Sequence, residues 1–325
     1  MKSILNKDNF KDFTNQNSAF IAFIGLFLLA IITCGTTFLN MGNLMNILRN
    51  NSIIGIVSLG ATLVIINGSI DLSVGSQLAL TGLIAVSIIN TTQSILLGII
   101  ISLISAIVFG SITGWLVAKF DVPAFIVTLG TMTIYRSLSQ YLFDGGGLLV
   151  SGKSAKTFIS ISNTNLFNVI PLPIIFWLVL AFIISFFMSN TPTGRYIYAV
   201  GSNEKATRLS GININRVKVY TFIISGVFIS IAGIVEASRL GSINSASSGI
   251  SYEMDAITSV VIGGTSMSGG RGRIIGTVFG TLTIGVINNM MNLFGVPPFL
   301  VGAVKGMIII IAVLFQKRLN IKEND

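Results

Sequence analysis

The sequence predicts an all-α polytopic membrane protein of about ten transmembrane helices with an inverted internal repeat. Three observations carry this expectation. Of the 325 residues 52% are hydrophobic and only 10% charged, whereas soluble domains hold roughly 25% charged residues, so no polar shell could wrap the core. Mean hydropathy is +0.86, and the apolar residues gather into runs near the ~20 residues that cross a bilayer as helix. Finally, one short motif recurs at two places whose expected orientations are opposite. Disorder is excluded by the same hydrophobicity.

In chain order, a cytoplasmic tail of residues 1–18 leads into spans over Ala19–Leu39, Asn51–Asn67, Val74–Thr91, Ser94–Lys119, Pro123–Phe143, Ile170–Met188, Val217–Ala237, Met254–Ser268, Ile274–Phe294 and Pro297–Gln316. Residues 317–325 form a second tail. The first run is too long for a cleaved signal's ~7–15-residue apolar region and reads as a membrane helix. The eighth is short and rich in Gly and Ser, so it reads as a re-entrant or broken helix, and the boundary around Ser69–Gly75 is equally soft.

Basic residues orient the chain, because cytoplasmic loops collect Lys and Arg. With the N-terminus inside, Lys2, Lys7, Lys11, Lys119, Arg195, Lys205, Arg208, Arg216, Lys218, Arg271, Arg273, Lys317, Arg318 and Lys322 are cytoplasmic. Arg49, Lys153, Lys156 and Arg239 are outside, and Arg136 and Lys305 fall within spans. Both termini are therefore expected in the cytoplasm. The net charge of +9 marks orientation and does not call for nucleic acid. Two connections are long: an exterior loop over 144–169, and an interior one over 190–216 with a short helical pattern bounded by Asn203 and Gly211. The repeat pairs Phe120-Asp-Val-Pro-Ala-Phe-Ile-Val127 with Phe294-Gly-Val-Pro-Pro-Phe-Leu-Val301. The first copy is expected at the cytoplasmic face and the second outside, as in inverted-topology transporters.

The chain has no histidine and a single cysteine, Cys34. This removes His-based acid–base catalysis, Ser–His–Asp and Cys–His arrangements, His metal sites and internal disulfides. Gly147-Leu-Leu-Val-Ser-Gly152-Lys153-Ser154 matches the phosphate-loop pattern, yet it follows a membrane helix on the exterior, with no further strand to supply a Mg²⁺-binding Asp, so it reads as a solvated loop. No catalytic residue, metal site or cofactor is expected in this chain.

Polar groups inside the membrane are costly and mark pathways or packing. Candidates for translocation or gating are Asn67, Asp71 and Ser73 in the break between two apolar runs, Asp255, Lys305, and Asn288 with Asn292 four residues apart on one helix face. Glu236, Arg239 and Glu253 are further intramembrane charges. The same groups could serve only to pair helices. Gly110-x-x-x-Gly114, Gly276-x-x-x-Gly280 and Gly302-x-x-x-Gly306 are expected to let helices approach closely.

Several ordered motifs carry a resemblance. Ile70-Asp-Leu-Ser-Val-Gly-Ser76, Gly201-x-Asn203-Glu-x-Ala206-x-Arg208-Leu-Ser-Gly-Ile212, Tyr252-Glu-Met-Asp255, Gly263-Gly-Thr-Ser266 and Gly269-Gly-x-Gly272 resemble the membrane (permease) subunits of bacterial carbohydrate ABC importers. Ribose permeases are the nearest group, ahead of those for galactose, xylose and autoinducer-2. The resemblance runs from about Asn40 to Lys317. It implies a permease homodimer in the cytoplasmic membrane, a cytoplasmic ABC ATPase that binds the ATP and Mg, and an extracytoplasmic sugar-binding protein. It also implies that the 190–216 loop docks into the ATPase, through Gly194, Arg195, Asn203, Glu204, Ala206, Arg208 and Gly211. The importer pattern E-A-A-x-x-x-G is met only in part, with Lys205 for an Ala and one extra residue before Gly211. A branched-chain amino-acid permease and an ion-coupled secondary transporter remain open alternatives.

Overall fold

The computed structural model describes residues 18–120, 122–167, 169–297 and 300–311. Both expected tails beyond Ser18, the end of the tenth span, and Asp121, Pro298 and Phe299 of the repeat lie outside the described residues.

The described residues are mostly helical. The helices are α1 (Ser18–Leu39), α2 (Met41–Ile66), α3 (Val74–Thr92), α4 (Ile95–Lys119), α5 (Ala124–Leu142), α6 (Ala155–Asn163), α7 (Leu172–Asn190), α8 (Pro192–Ser202), α9 (Glu204–Leu209), α10 (Ile214–Leu240), α11 (Tyr252–Ile262), α12 (Ile274–Leu293) and α13 (Leu300–Ile311). Two small antiparallel ribbons join β1 (Gly147–Leu149) to β4 (Ser242–Asn244) and β2 (Asn165–Leu166) to β3 (Ile170–Pro171). Among the described residues 7 helices, α1, α2, α3, α4, α7, α10 and α12, are long and apolar enough to cross a membrane.

Helix α2 is the axis of the bundle. From Asn51 to Ile66 every residue is buried, against side chains of α7, α10, α11 and α12. It begins at Met41, ten residues before the span expected from hydropathy, with the Asn40 side chain accepting from Gly42 N at 2.9 Å. The polar first turns are possible because other elements satisfy them. Asn43 and Asn289 exchange amide hydrogen bonds at 2.7 and 3.1 Å, Arg49 donates to Asn165 at 2.8 Å, and Arg239 donates to Asn50. By contrast α1, α4 and α7 turn large apolar side chains outward, with Ile32 80%, Leu96 67% and Phe182 73% exposed, which suits lipid contact.

Two of the three glycine pairs do what their spacing suggests. Gly110 and Gly114 set the backbone of α4 directly against α10 at Val219 and Phe222, and Gly276 and Gly280 set α12 against Gly263 and Ser259 at the end of α11. Lipid tails are as apolar as the helices, so such close van der Waals packing supplies much of the association energy. At the third pair, Gly302 and Gly306 of α13, nothing lies within 4 Å among the described residues.

Candidate functional site

The interior loop is more structured than its sequence suggests. Thr191 caps α8, accepting from Gly194 N at 3.1 Å, and Gly194 fits against the backbone of Met188, turning α8 tightly back on α7. Asn203 then caps α9 by accepting from Ala206 N at 2.9 Å, and Gly211, at φ +80°, ends it in the left-handed conformation glycine favours. The expected limits of the helical pattern therefore hold. Glu204 bridges to Lys218 at 3.0 Å and to Arg208 at 3.6 Å. Arg195, Lys205 and Ala206 are exposed, and Leu209 is 89% exposed. An apolar tip ringed by cations is the result.

This knob is mounted on the membrane core. A side chain at Gly201 would run into the Ile66 carbonyl at the end of α2, and Gly270 N donates to that carbonyl at 2.8 Å. The Tyr198 hydroxyl donates to Gly272 O at 2.9 Å, and burial pushes its phenol above the ordinary value, so it stays a donor. Motion of α8 and α9 thus has a direct backbone route to the α2–α3 turn.

That turn holds the first pathway candidates. Asn67 caps α2 and is buried, with neither amide atom of its side chain partnered among the described residues. Asp71 accepts from Ser73 N at 2.8 Å and Ser73 Oγ at 2.6 Å, a local turn that competes with helix and explains the break before α3. Elsewhere Lys305 of α13 meets Asp255 of α11, with Nζ 2.8 and 3.0 Å from the two carboxylate oxygens. This pairs two charges the sequence could not match. Asn288 is half-buried with its carbonyl oxygen unpartnered among the described residues, Asn292 is exposed, and it is the intervening Asn289 that binds another helix. The candidates thus form three separate groups, on the α2–α3 turn, between α11 and α13, and on α12.

The structure adds a fourth group. Arg136 of α5 donates from Nη1 to Ser245 O at 2.7 Å and Ser248 O at 3.0 Å. Glu236 of α10 is buried with Tyr252 and Ser248 as its polar neighbours. Their intramembrane charges were visible in sequence, but their convergence on residues 245–253 was not.

The phosphate-loop match has a filled cradle. It does run from β1 to α6, more like a strand–loop–helix than expected. Several of its amides, however, are committed to the protein: Val150 N donates to Gly241 O at 2.9 Å, Ser151 N to Asn90 at 2.9 Å and Ser154 N to Gln93 at 3.2 Å. The Gln93 side chain sits against Gly152.

The comparisons decide the family. Residues 43–313 match the model described as branched-chain amino acid transport system / permease component. The chain belongs to this permease family. The permease is 41% identical over 313 residues to the ribose import permease of Haemophilus influenzae, covering 96% of both chains. It is 43% identical over 299 residues to that of Bacillus subtilis, covering 91% of this permease and 92% of the relative. It is 36% identical over 283 residues to the L-arabinose transport system permease of Escherichia coli, covering 86% and 83%. No solved structure matches.

Proposed function

We propose that this chain is the permease subunit of an ATP-binding-cassette importer that carries a monosaccharide, ribose before any other, across the bacterial cytoplasmic membrane. The observation that carries the proposal is the likeness to ribose import permeases, 41% and 43% identical over more than nine tenths of the chain. L-arabinose is the second reading, resting on the 36% relative.

In this reading the chain spans the membrane about ten times with both termini in the cytoplasm, α5, α11 and α13 completing the set begun by the seven long helices. The inverted repeat is supported by the joints of its two copies: Phe120 ends α4 before α5, and Phe294 ends α12 before α13. A homodimer of permeases stands on a cytoplasmic ATPase, which binds ATP and Mg, and receives sugar from an extracytoplasmic binding protein. The knob of Gly194, Arg195, Asn203, Glu204, Ala206, Arg208 and Gly211 docks in the ATPase, its cations and exposed Leu209 suiting an acidic cleft with an apolar floor. ATP-driven closure moves α8 and α9, and the Gly201–Ile66 contact passes the motion to Asn67, Asp71 and Ser73. Asp255, Lys305, Asn288 and Asn292 act along the path or at its gates. Specificity lies mainly in the binding protein.

The test is uptake of labelled D-ribose into vesicles holding the chain, its ATPase and the binding protein. Uptake that requires ATP and all three components is expected. Sugar uptake by the chain alone in a proton or sodium gradient would overturn the proposal, as would stimulation of the ATPase only by a binding protein for branched-chain amino acids.

A further inference from the structure

We propose that the half-open cavity between α3, α5 and α11 is a subsite for a small neutral polyol, a way-station for the sugar on its path across the membrane. The proposal rests on the sugar-import reading for the identity of the polyol, and on the cavity itself for its existence. The space measures about 310 Å³, at the small end of the ~300–1,000 Å³ typical of small-molecule sites. Ser76, Thr133, Arg136, Ser137 and Glu253 line it together with the apolar Ile250.

Its position is the first argument. Thr133 stands at the centre of α5, whose 19 residues run Ala124–Leu142. Beyond β4, residues 245–251 are non-helical, and Gly249 lies against Gly75, the second residue of α3. The far end of α3 meets the 144–169 loop through Gln93 and Ser154, about 26 Å away along the helix axis at 1.5 Å per residue. Non-helical backbone at such depth is tolerated only where protein buries it or where it lines a water-filled cavity, and discontinuous helices of this kind build substrate sites in transporters.

The chemistry is the second. The hydroxyls of Ser76 and Thr133 donate to Ser73 O at 2.9 Å and Leu129 O at 3.1 Å and so present lone pairs. With the Ser137 hydroxyl, a guanidinium that only donates and a carboxylate that accepts, they can serve the donors and acceptors of a polyol. Ile250 suits its C–H face. The charges of Arg136 and Glu253 balance, so the lining favours a neutral guest over an ion. The geometry is held in advance: Arg136 is anchored on the Ser245 and Ser248 carbonyls, and the missing side chain at Gly75 leaves room for the Glu253 carboxylate. Ser251 holds a left-handed φ of +63° at the rim, an unusual conformation for a non-glycine residue.

Cys34 is the only cysteine, so the site can be probed in the whole importer after Cys34→Ser. A thiol introduced by Ser137→Cys should react with a small methanethiosulfonate, and D-ribose should slow that reaction by 1 + [ribose]/Kd, about fourfold at about three times Kd. The added change Glu253→Gln should weaken the protection, and Lys153→Cys, on the exterior loop, should show none. Co-purification of the Ser137→Cys chain with its ATPase establishes that it is assembled, and an assembled importer without protection overturns the subsite whatever its uptake. Absence of protection in an importer that still takes up ribose would overturn the subsite and leave the importer reading intact. If another monosaccharide is both taken up and protects, the assignment to ribose falls and the polyol subsite stands. Protection by L-valine and by no sugar would overturn both.

Discussion

Removing the ammonium of Lys305 tests the most buried ion pair among the described residues. Its Nζ lies 2.8 and 3.0 Å from the two oxygens of Asp255, and the side chains are only 15% and 9% exposed. Lys305→Ala would leave the carboxylate uncompensated in a medium that solvates it poorly, a loss of about 3–5 kcal/mol. At about 1.4 kcal/mol per tenfold the unfolding equilibrium moves by roughly 10²- to several 10³-fold. Denaturant titration in mixed micelles, followed by tryptophan fluorescence, measures it. Asp255→Asn should lose stability in the same way, and the double variant Asp255→Asn/Lys305→Gln should recover most of the loss. Additive losses in the double variant, with a coupling energy within about 0.5 kcal/mol of zero, would refute the reasoning. Should the double variant fold well yet fail to carry sugar, the pair acts in translocation and not in packing alone.

Gly201→Ala should overpack the joint between α8 and α2 and cost about 1–3 kcal/mol, whereas Gly211→Ala, which meets open space and suffers only the left-handed backbone, should cost about 1 kcal/mol; melting curves would rank the two. Glu204→Gln breaks a partly exposed pair and should shift stability by no more than about 1 kcal/mol, while ATP-driven uptake in vesicles falls with ATPase activity uncoupled from it. Asn289→Leu should lose about 0.6–2 kcal/mol with its reciprocal amide pair to Asn43. Asn288→Leu should be close to neutral in the same unfolding assay, because the group it removes is itself unsatisfied.

Local patterns were legible and distant partnerships were not. The Asn203 cap, the left-handed Gly211 and the break at Asp71–Ser73 all involve neighbours in sequence, so residue types alone indicate them. The N-terminal end of α2 was missed because Asn43, Arg49 and Asn50 look like loop until Asn289, Asn165 and Arg239 arrive from elsewhere. The same limit hid the Asp255–Lys305 pair, separated by fifty positions. The amides of Asn288, Asn289 and Asn292 suggest interhelical packing, but their spacing leaves open which of them binds a second helix, and it is Asn289. Arg136 was visible as a membrane charge, yet its acceptors are backbone carbonyls, which no side-chain pattern advertises. The phosphate-loop match shows the converse: a perfect string of letters in which the amides of Val150, Ser151 and Ser154 are already bonded within the protein.

The anchoring of the 245–251 segment by Arg136 bears on how the chain is made. Its guanidinium is synthesised 109 and 112 residues ahead of the two carbonyls it serves. A non-helical stretch entering the bilayer alone would strand carbonyls at several kcal/mol each. Because the N-terminal part emerges first, the receptor for that stretch is already in the membrane when the ribosome delivers it. Nascent chains halted before Ser242 would lack both carbonyls that hold this guanidinium in α5.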